Sequence, residues 1–584
     1  MIIQSLNQYY ERLSNNPESG VAPSGYSAGK VSFAFNLSSQ GKLLEIFPLY
    51  DVKGKKKIAC EILVPEQIKK TSGVSSNFLC ENSSYVLGID QKGKPSRSIE
   101  CFNAFRDLHE QVLGKVEDYG AKAIISFIGS REAGQTDELI IQNMLEVLLE
   151  GGNIVFMLDG DKGYIHERPL IKKAWALYKE KELGEAYIAQ CLVTGEMSPI
   201  SLLHPSIKGV TGAQTMGASI VSFNDDAYVS YGKKQSYNAP ISSAVTFAYT
   251  TALNFLLSSK KNRLQIGDTT TVFWADQQEE ENLMAAFFDP PEEDEKIADS
   301  VDYVSTQKIR DILLHLREGK KPVNIDIDEK THFCILGLAP NAARISIRYY
   351  YEGKFGLLME NVGQHYADMA VVVPKDYKHT LPAIWRILRE TATLGKSENI
   401  PSILTGGLMQ AVLSGNAYPR SLFTAIITRI RADHNVNPIR AGVLKAYLKR
   451  RARINNDKEE EEILTMSLNE ESNSQGYILG RLFALLERAQ EKASGGNLNS
   501  TIRDRYFGAA SANPAAVFPI LLRLSQHHIS KAEYGYVIDK QIQEVMNLLD
   551  GQAGFPKHLN LDEQGYFMLG YYQQRQAFYT KKEV

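Results

Sequence analysis

Alternation of apolar and polar positions dominates the first part of the chain. The stretches "KVSFAFNLSS", "LLEIFPLYDV" and "KIACEILVP" alternate or run apolar over strand lengths and are divided by turn residues, which predicts strands. Gly54, set among Lys53, Lys55, Lys56 and Lys57, predicts a basic hairpin tip. Ser84–Asp90 reads as another strand between polar loops. The period then lengthens. "IECFNAFRDLHEQVLGKV" places Phe102, Phe105, Leu108, Val112 and Leu113 on one side of a helix. "TDELIIQNMLEVLLEGG" predicts a second helix, capped by Thr136 or Asp137 and stopped by Gly151 and Gly152.

Strand character returns in "GNIVFMLDG", "AYIAQCLVTGE", "ASIVSFND" and "TVFWAD". Two further strands flank a turn in "THFCILGLAPNAARISIRYYYEGKF". Between them the acidic, proline-containing segment from Asp276 to Glu295 predicts an exposed loop. Beyond about His379 the pattern is helical. Ile478, Leu482, Leu485, Leu486 and Ala489 form one stripe, and Ile538, Ile542, Val545 and Leu549 another, ended by Gly551. Asn513 and Pro514 are placed as cap and first residue of a helix that Pro519 interrupts or kinks. The expected class is α+β: a mixed α/β N-terminal body to about residue 380, then an all-α helical C-terminal part. At 584 residues the chain exceeds one core. Four segments are expected: 1–115, 116–380, a basic helical connector 381–465, and a helical bundle 466–584.

Composition narrows the class only a little. Hydrophobic content of 43% and charged content of 23% are ordinary for a folded soluble protein. "MIIQSLNQYYERL" lacks the features of a signal peptide, and no apolar run is long enough to span a bilayer. A cytoplasmic protein without membrane contact is the expectation. Cys60, Cys80, Cys101, Cys191 and Cys334 are dispersed and form no CxxC, which argues against a disulfide framework and a thiolate zinc site. The net charge is −3, yet nine basic residues fall between Arg420 and Arg453 with Asp433 the single acid among them. A near-neutral total can conceal a stripe suited to phosphates.

Catalytic signatures are missing. There is no GxxxxGK[ST], no HExxH and no His-Asp dipeptide, and Gly209, Gly212 and Gly217 miss the dinucleotide spacing. Asp433–His434 has the reverse of a nuclease order. His527 and His528 are adjacent and point to different helix sides. Cys191 and His204 together are too few for a metal site, so buried structural roles are preferred for them. No cofactor and no metal are expected. The nearest enzymatic alternative is a metal-dependent nuclease, which needs a carboxylate or His/Asp cluster.

Three places suit nucleic acid. Asn77 and Asn82 are amides near Lys92, Lys94 and Arg97. Amides read base edges and cations hold phosphates, although asparagine also caps turns. Lys233 and Lys234 lie among Tyr228, Tyr231 and Tyr237, a mixture suited to single strands; tyrosines packed beneath a strand would give the same pattern. Arg440, Lys445, Lys449 and Arg453 form a basic helical face that a solvated surface would equally produce. Separately, Glu459–Glu462 stand just ahead of Met466. From residues alone they read as an acidic linker or helix start.

A set of phrases in one order carries a resemblance: "NFLCENSSYVLG", "CFNAFRDLHE", "CLVTGEMSPISLLHPSIKGVTGAQTMGASIVSFN", "SYGKKQSYNAP", "TALNFLL", "TVFWAD", "LAPNAARISIRYYYEGKF" and "YILGRLFALLERAQ". Together they resemble the large subunit of the type I-C CRISPR surveillance complex, Cascade, over nearly the whole chain. The resemblance implies a non-catalytic role. Such a subunit checks the protospacer-adjacent motif (PAM) in duplex DNA, helps open it, holds the displaced strand and presents the complex to a helicase-nuclease. Arg440, Lys445, Lys449 and Arg450 join Lys233 and Lys234 as displaced-strand phosphate candidates. Base pairing to the crRNA reads the sequence. Partners implied are the other Cascade subunits, crRNA, double-stranded target DNA, the displaced single strand and the helicase-nuclease. It also implies that the C-terminal piece is made separately as the small subunit, copies of which then join the complex. An all-purine tract encoding Glu459–Glu462 would then precede an internal start at Met466, giving a 119-residue product, counted as 584 − 466 + 1.

Overall fold

The computed structural model describes residues 1–16, 19–53, 56–67, 73–89, 95–184, 187–276, 330–378, 380–495, 500–549 and 554–579. They divide into two compact units: Met1–Ile207 with Ser219–Phe255, and Lys208–Ala218 with Leu256–Val584. The α+β class itself holds, with mixed structure first and helices predominating from Ile384 onward.

The first unit is organised around strand β1 (Tyr26–Leu37). On one edge β1 pairs antiparallel with β2 (Leu43–Pro48) and β4 (Lys56–Pro65). On the other it pairs parallel with β6 (Asn153–Leu158). β3 (Tyr50–Lys53) extends the sheet beyond β4, and β5 (Glu81–Asn82) closes it beyond β6. "LLEIFPLYDV" is therefore two strands broken at Leu49, and the expected hairpin pairs Lys53 with Lys56. The register against β6 shifts between Val31 and Phe33. That shift puts Val31 with Ala34 and Val155 in one apolar layer, and Phe33, Phe35 and Leu37 in another. The second layer is covered by helices Pro95–Leu113 and Tyr119–Gly129 through Phe102, Phe105 and Phe127.

Some local expectations change. The described part of Ser84–Asp90, which ends at residue 89, is not a strand: Ser83–Val86 is a short helix, and Asp90 lies outside the described residues. The second predicted helix spans Leu139–Leu149 and starts at Glu138, without a side-chain cap from Thr136 or Asp137. "AYIAQCLVTGE" keeps only β7 (Ile188–Gln190), paired with β8 (Met197–Pro199), and "ASIVSFND" forms no extended strand. The acidic segment Asp276–Glu295 lies, apart from Asp276, outside the described residues.

In the second unit β9 (Arg263–Ile266), β10 (Thr269–Ala275), β11 (His332–Asn341) and β12 (Arg344–Lys354) make an antiparallel sheet in the order β12-β11-β10-β9. One apolar core runs from Phe273 and Ile335 on this sheet to Phe483 and Phe567 on the last helices. It crosses residue 466 without a break. Helices Gln475–Ala493 and Leu561–Ala577 pack at very short range because glycine faces backbone: a Cβ at Gly480 would stand 2.0 Å from the Phe567 carbonyl oxygen.

Candidate nucleic-acid interface

The segment from Asn224 to Lys234 is exposed, yet braced by local hydrogen bonds. Asp225 accepts from the Ala227 N–H at 2.9 Å and starts a single 3-10 turn, Asp226–Tyr228. The Asn238 side chain then closes the loop. Its Oδ1 accepts from the Ser230 N–H at 2.9 Å, and its Nδ2 donates to the carbonyls of Lys233 at 2.8 Å and Gln235 at 2.9 Å. At the tip Tyr231 is 99% exposed and has φ of +53°, followed by Gly232 at +68°. A tyrosine held left-handed in open solvent costs about 1 kcal/mol or more, so the surrounding bonds have to over-determine it. Lys233 and Lys234 follow, both exposed and neither with a carboxylate partner among the described residues. Tyr237 packs against Tyr187, ring centroids 4.4 Å apart, while Tyr228 is 45% exposed. The geometry thus presents one aromatic face and two ammonium groups from a fixed backbone, which suits a base and its flanking phosphates.

The amides upstream are used differently. Asn77 is buried, and its N–H donates to Glu81 Oε1 at 3.0 Å. The buried Glu81 carboxylate also accepts from the Asn82 N–H at 3.2 Å. Asn82 Oδ1 caps helix Ser83–Val86 by accepting from Ser84 N–H at 3.0 Å. For Asn82, capping is what the geometry contains; for Asn77 the bond to Glu81 is made by the backbone N–H. His109 backs the segment: its Nε2 accepts from the Leu79 N–H at 2.9 Å and burial pushes its pKa down to about 4, so the ring is neutral. Arg97 is exposed in the first turn of helix Pro95–Leu113. Lys92 and Lys94 lie outside the described residues.

The basic stripe divides sharply. Arg440 is buried and bonded to Glu390 and Asp433, each at 2.7 Å. Arg450 is 1% exposed; it pairs with the fully buried Asp368 at 3.3 Å and lies over the Tyr418 ring at 4.4 Å. Arg453 reaches the same carboxylate at 2.7 Å and Glu461 at 2.8 Å. Lys445 is buried, with Nζ 3.5 Å from the Ala367 carbonyl oxygen. Burial, then the neighbouring charge of Lys449, pushes its pKa down to about 7. Lys449 is half-buried and donates to the Leu464 carbonyl at 3.3 Å. Arg440, Lys445 and Arg450 are therefore not an exposed phosphate-binding face: they are buried, and with the half-buried Lys449 they meet internal partners.

A family model described as CRISPR-associated protein (Cas_Csd1) matches residues 6–579. The chain belongs to that family. It is a CRISPR-associated, Cascade-type component. No curated protein matches it.

In this Cas_Csd1 chain the glutamate run has a structural use. Asp457 Oδ1 accepts from the Glu460 N–H at 3.0 Å and caps helix Lys458–Ile463, so the acids sit at the favourable end of the helix dipole. Glu460 accepts from Arg451 and from Tyr566 Oη, both at 2.6 Å. Met466 is 54% exposed, and its carbonyl accepts from the Val372 N–H at 3.2 Å. Cys191 and His204 each have their own partners. Burial pushes the Cys191 thiol up, but N–H donors from Ser242, Thr194 and Val193 outweigh it and bring it down to about 7. His204 Nδ1 bonds Tyr249 Oη at 2.6 Å. Asp433 is taken by Arg429 and Arg440. Among the described residues no group of three or more His, Cys, Asp or Glu could hold a metal, and no helix is long and apolar enough to cross a membrane. The nuclease alternative gains no support from these residues or from the family.

Proposed function

We propose that this Cas_Csd1 chain is the large subunit of a type I-C surveillance complex that recognises PAM duplex DNA, supports R-loop formation and engages the displaced strand. The observation that carries the reading is the loop Ser230–Asn238. It combines a fully presented Tyr231 with Lys233 and Lys234, which have no carboxylate partner among the described residues, in a chain of a CRISPR-associated family. Aromatic stacking is worth about 1–3 kcal/mol per base and tolerates any sequence, as a displaced strand requires. For the PAM duplex the candidates are Asn77, Asn82, Lys92, Lys94 and Arg97. Among the described candidates Arg97 is exposed, which favours direct contact, and Asn82 caps helix Ser83–Val86. The subunit presents the opened target to the helicase-nuclease and has no catalytic step of its own.

The test uses complex assembled with crRNA. Target binding across a PAM library is compared for wild type, Asn77→Ala, Asn82→Ala and Arg97→Gln. A lost base contact relaxes the profile, whereas a lost phosphate contact lowers all sequences alike. An unchanged profile and affinity for all three removes this region from PAM reading. Metal-dependent cleavage by the purified subunit, abolished by one carboxylate substitution, would favour the nuclease instead.

The same reading includes an internal start at Met466, with copies of the resulting 119-residue product (584 − 466 + 1) serving as small subunits. Helices Gln475–Ala493 and Leu561–Ala577 support it, since this close pair lies wholly after Met466. Intact-mass analysis of complex carrying Met466→Leu should lack the short product. Its persistence would refute this start.

A further inference from the structure

Leu394 carries two independent penalties. It is 82% exposed, and it has φ of +58°, a conformation that leucine rarely adopts. The structure around it enforces both. Arg389 Nε donates to the Gly395 carbonyl at 3.1 Å, Arg429 Nη1 to Thr393 Oγ1 at 3.3 Å, and Asn399 Nδ2 to the Thr393 carbonyl at 3.0 Å. Two arginines and an amide therefore hold a leucine outward. The flanking chemistry is cationic. The guanidinium carbons of Arg386 and Arg389 stand 4.5 and 5.5 Å from the Trp385 ring centroid. Arg389 has no carboxylate partner among the described residues. Lys396 is exposed beside it, with only the equally exposed Glu398 at 3.7 Å.

We propose that the Leu394 tip is a nucleic-acid contact in which the leucine packs on a base step while Arg389 and Lys396 hold the adjoining phosphates. An apolar side chain at a base step is a known way to use exposed leucine, and surrounding cations supply the attraction and its salt dependence. The Leu394 tip belongs to the other compact unit and repeats the design of the Tyr231 loop: a large side chain on left-handed backbone, clamped by polar bonds and bordered by cations. Charge decides the class of partner. An apolar protein patch would be served as well by a neutral border, whereas here the guanidinium of Arg389 has no carboxylate partner among the described residues.

The experiment exploits the backbone. Leu394→Gly removes the side chain and suits a positive φ; Leu394→Asn keeps a side chain that tolerates it. Both are assembled into full complex with crRNA. Melting temperature, crRNA retained per complex and affinity for target duplex are measured, so that RNA and DNA contacts are read separately. The expected result is an unchanged or raised melting temperature with about a fivefold or greater loss in one of the two nucleic-acid readouts. Arg389→Gln should lower the salt dependence of the same readout. Wild-type values for both readouts in both Leu394 variants would overturn the proposal. So would loss of another protein subunit with nucleic-acid affinity otherwise intact. Because Lys233 and Lys234 are untouched, failure here leaves the Tyr231 reading standing.

Discussion

The Asn238 carboxamide holds the Lys233 carbonyl at 2.8 Å. That bond, with those to Ser230 and Gln235, converts an exposed loop into a fixed platform for Tyr231. The lysines themselves are free to meet phosphate because the loop needs none of their side chains for its own shape.

Asn238→Ala separates platform from contact. It removes three hydrogen bonds from a largely exposed loop, so global stability should fall by about 1 kcal/mol or less. Binding to single-stranded DNA should weaken several-fold although no lysine is lost. Thermal melts and filter binding of the assembled complex check the two readouts together.

Asp368→Asn tests the buried cluster. Asp368 is fully buried between Arg450 and Arg453. Burial pushes its carboxyl up, but the Arg453 hydrogen bonds and the charges of both arginines outweigh it and hold it below the ordinary carboxylate value of 3.8. Its contribution is therefore present above the unfolded value and is lost as pH falls through the folded one. Removing the charge should cost about 3–5 kcal/mol, since the buried Arg450 loses its anion and Arg453 keeps only Glu461. Denaturant unfolding at neutral pH checks the loss. An acid titration should show a shallower stability decline in the variant than in wild type below about pH 4.

Lys445 gives a slope of the same sign in a higher pH window, from burial of its charged form rather than from ion pairing. Its folded pKa of about 7 lies below the ordinary 10.5, so the unfolded chain binds the extra proton between these values. Wild-type stability should rise as pH increases from 7, with a slope of at most about 1.4 kcal/mol per pH unit. Lys445→Met should flatten that rise and be at least as stable at pH 7, because it replaces a buried ammonium group with an apolar chain. Melting temperatures between pH 7 and 9 distinguish the two proteins.

The cluster also explains which parts of the molecule are legible in the sequence. Period-two alternation in "KVSFAFNLSS" gives β1, because a strand between two covered layers shows its neighbours in its own pattern. The helical stripe Ile478, Leu482, Leu485, Leu486 is buried as its spacing implies. The charge stripe misleads because charge counted locally omits distant partners. Arg440 meets Glu390 at a separation of 50 residues, and Arg450 and Arg453 meet Asp368 at 82 and 85. Ser84–Asp90 misleads for a shorter-range reason: one amide, Asn82, caps a helical turn that a run of β-favouring residues conceals. Lys233 and Lys234 are visible in sequence, but the bracing by Asn238 is not. Nor does anything in "TLGK" announce a left-handed leucine.

The central claim is that Lys233 and Lys234 contact the displaced strand. Its most direct measurement is the salt dependence of R-loop binding by wild type and the Lys233→Gln/Lys234→Gln complex. Each single-strand phosphate contact contributes about 0.7 to the slope of log K against log salt, so losing two should reduce that slope by about 1.4 and lower affinity most at low salt. The account expects this reduction with PAM-duplex binding retained. Identical slopes and identical R-loop affinities would contradict it.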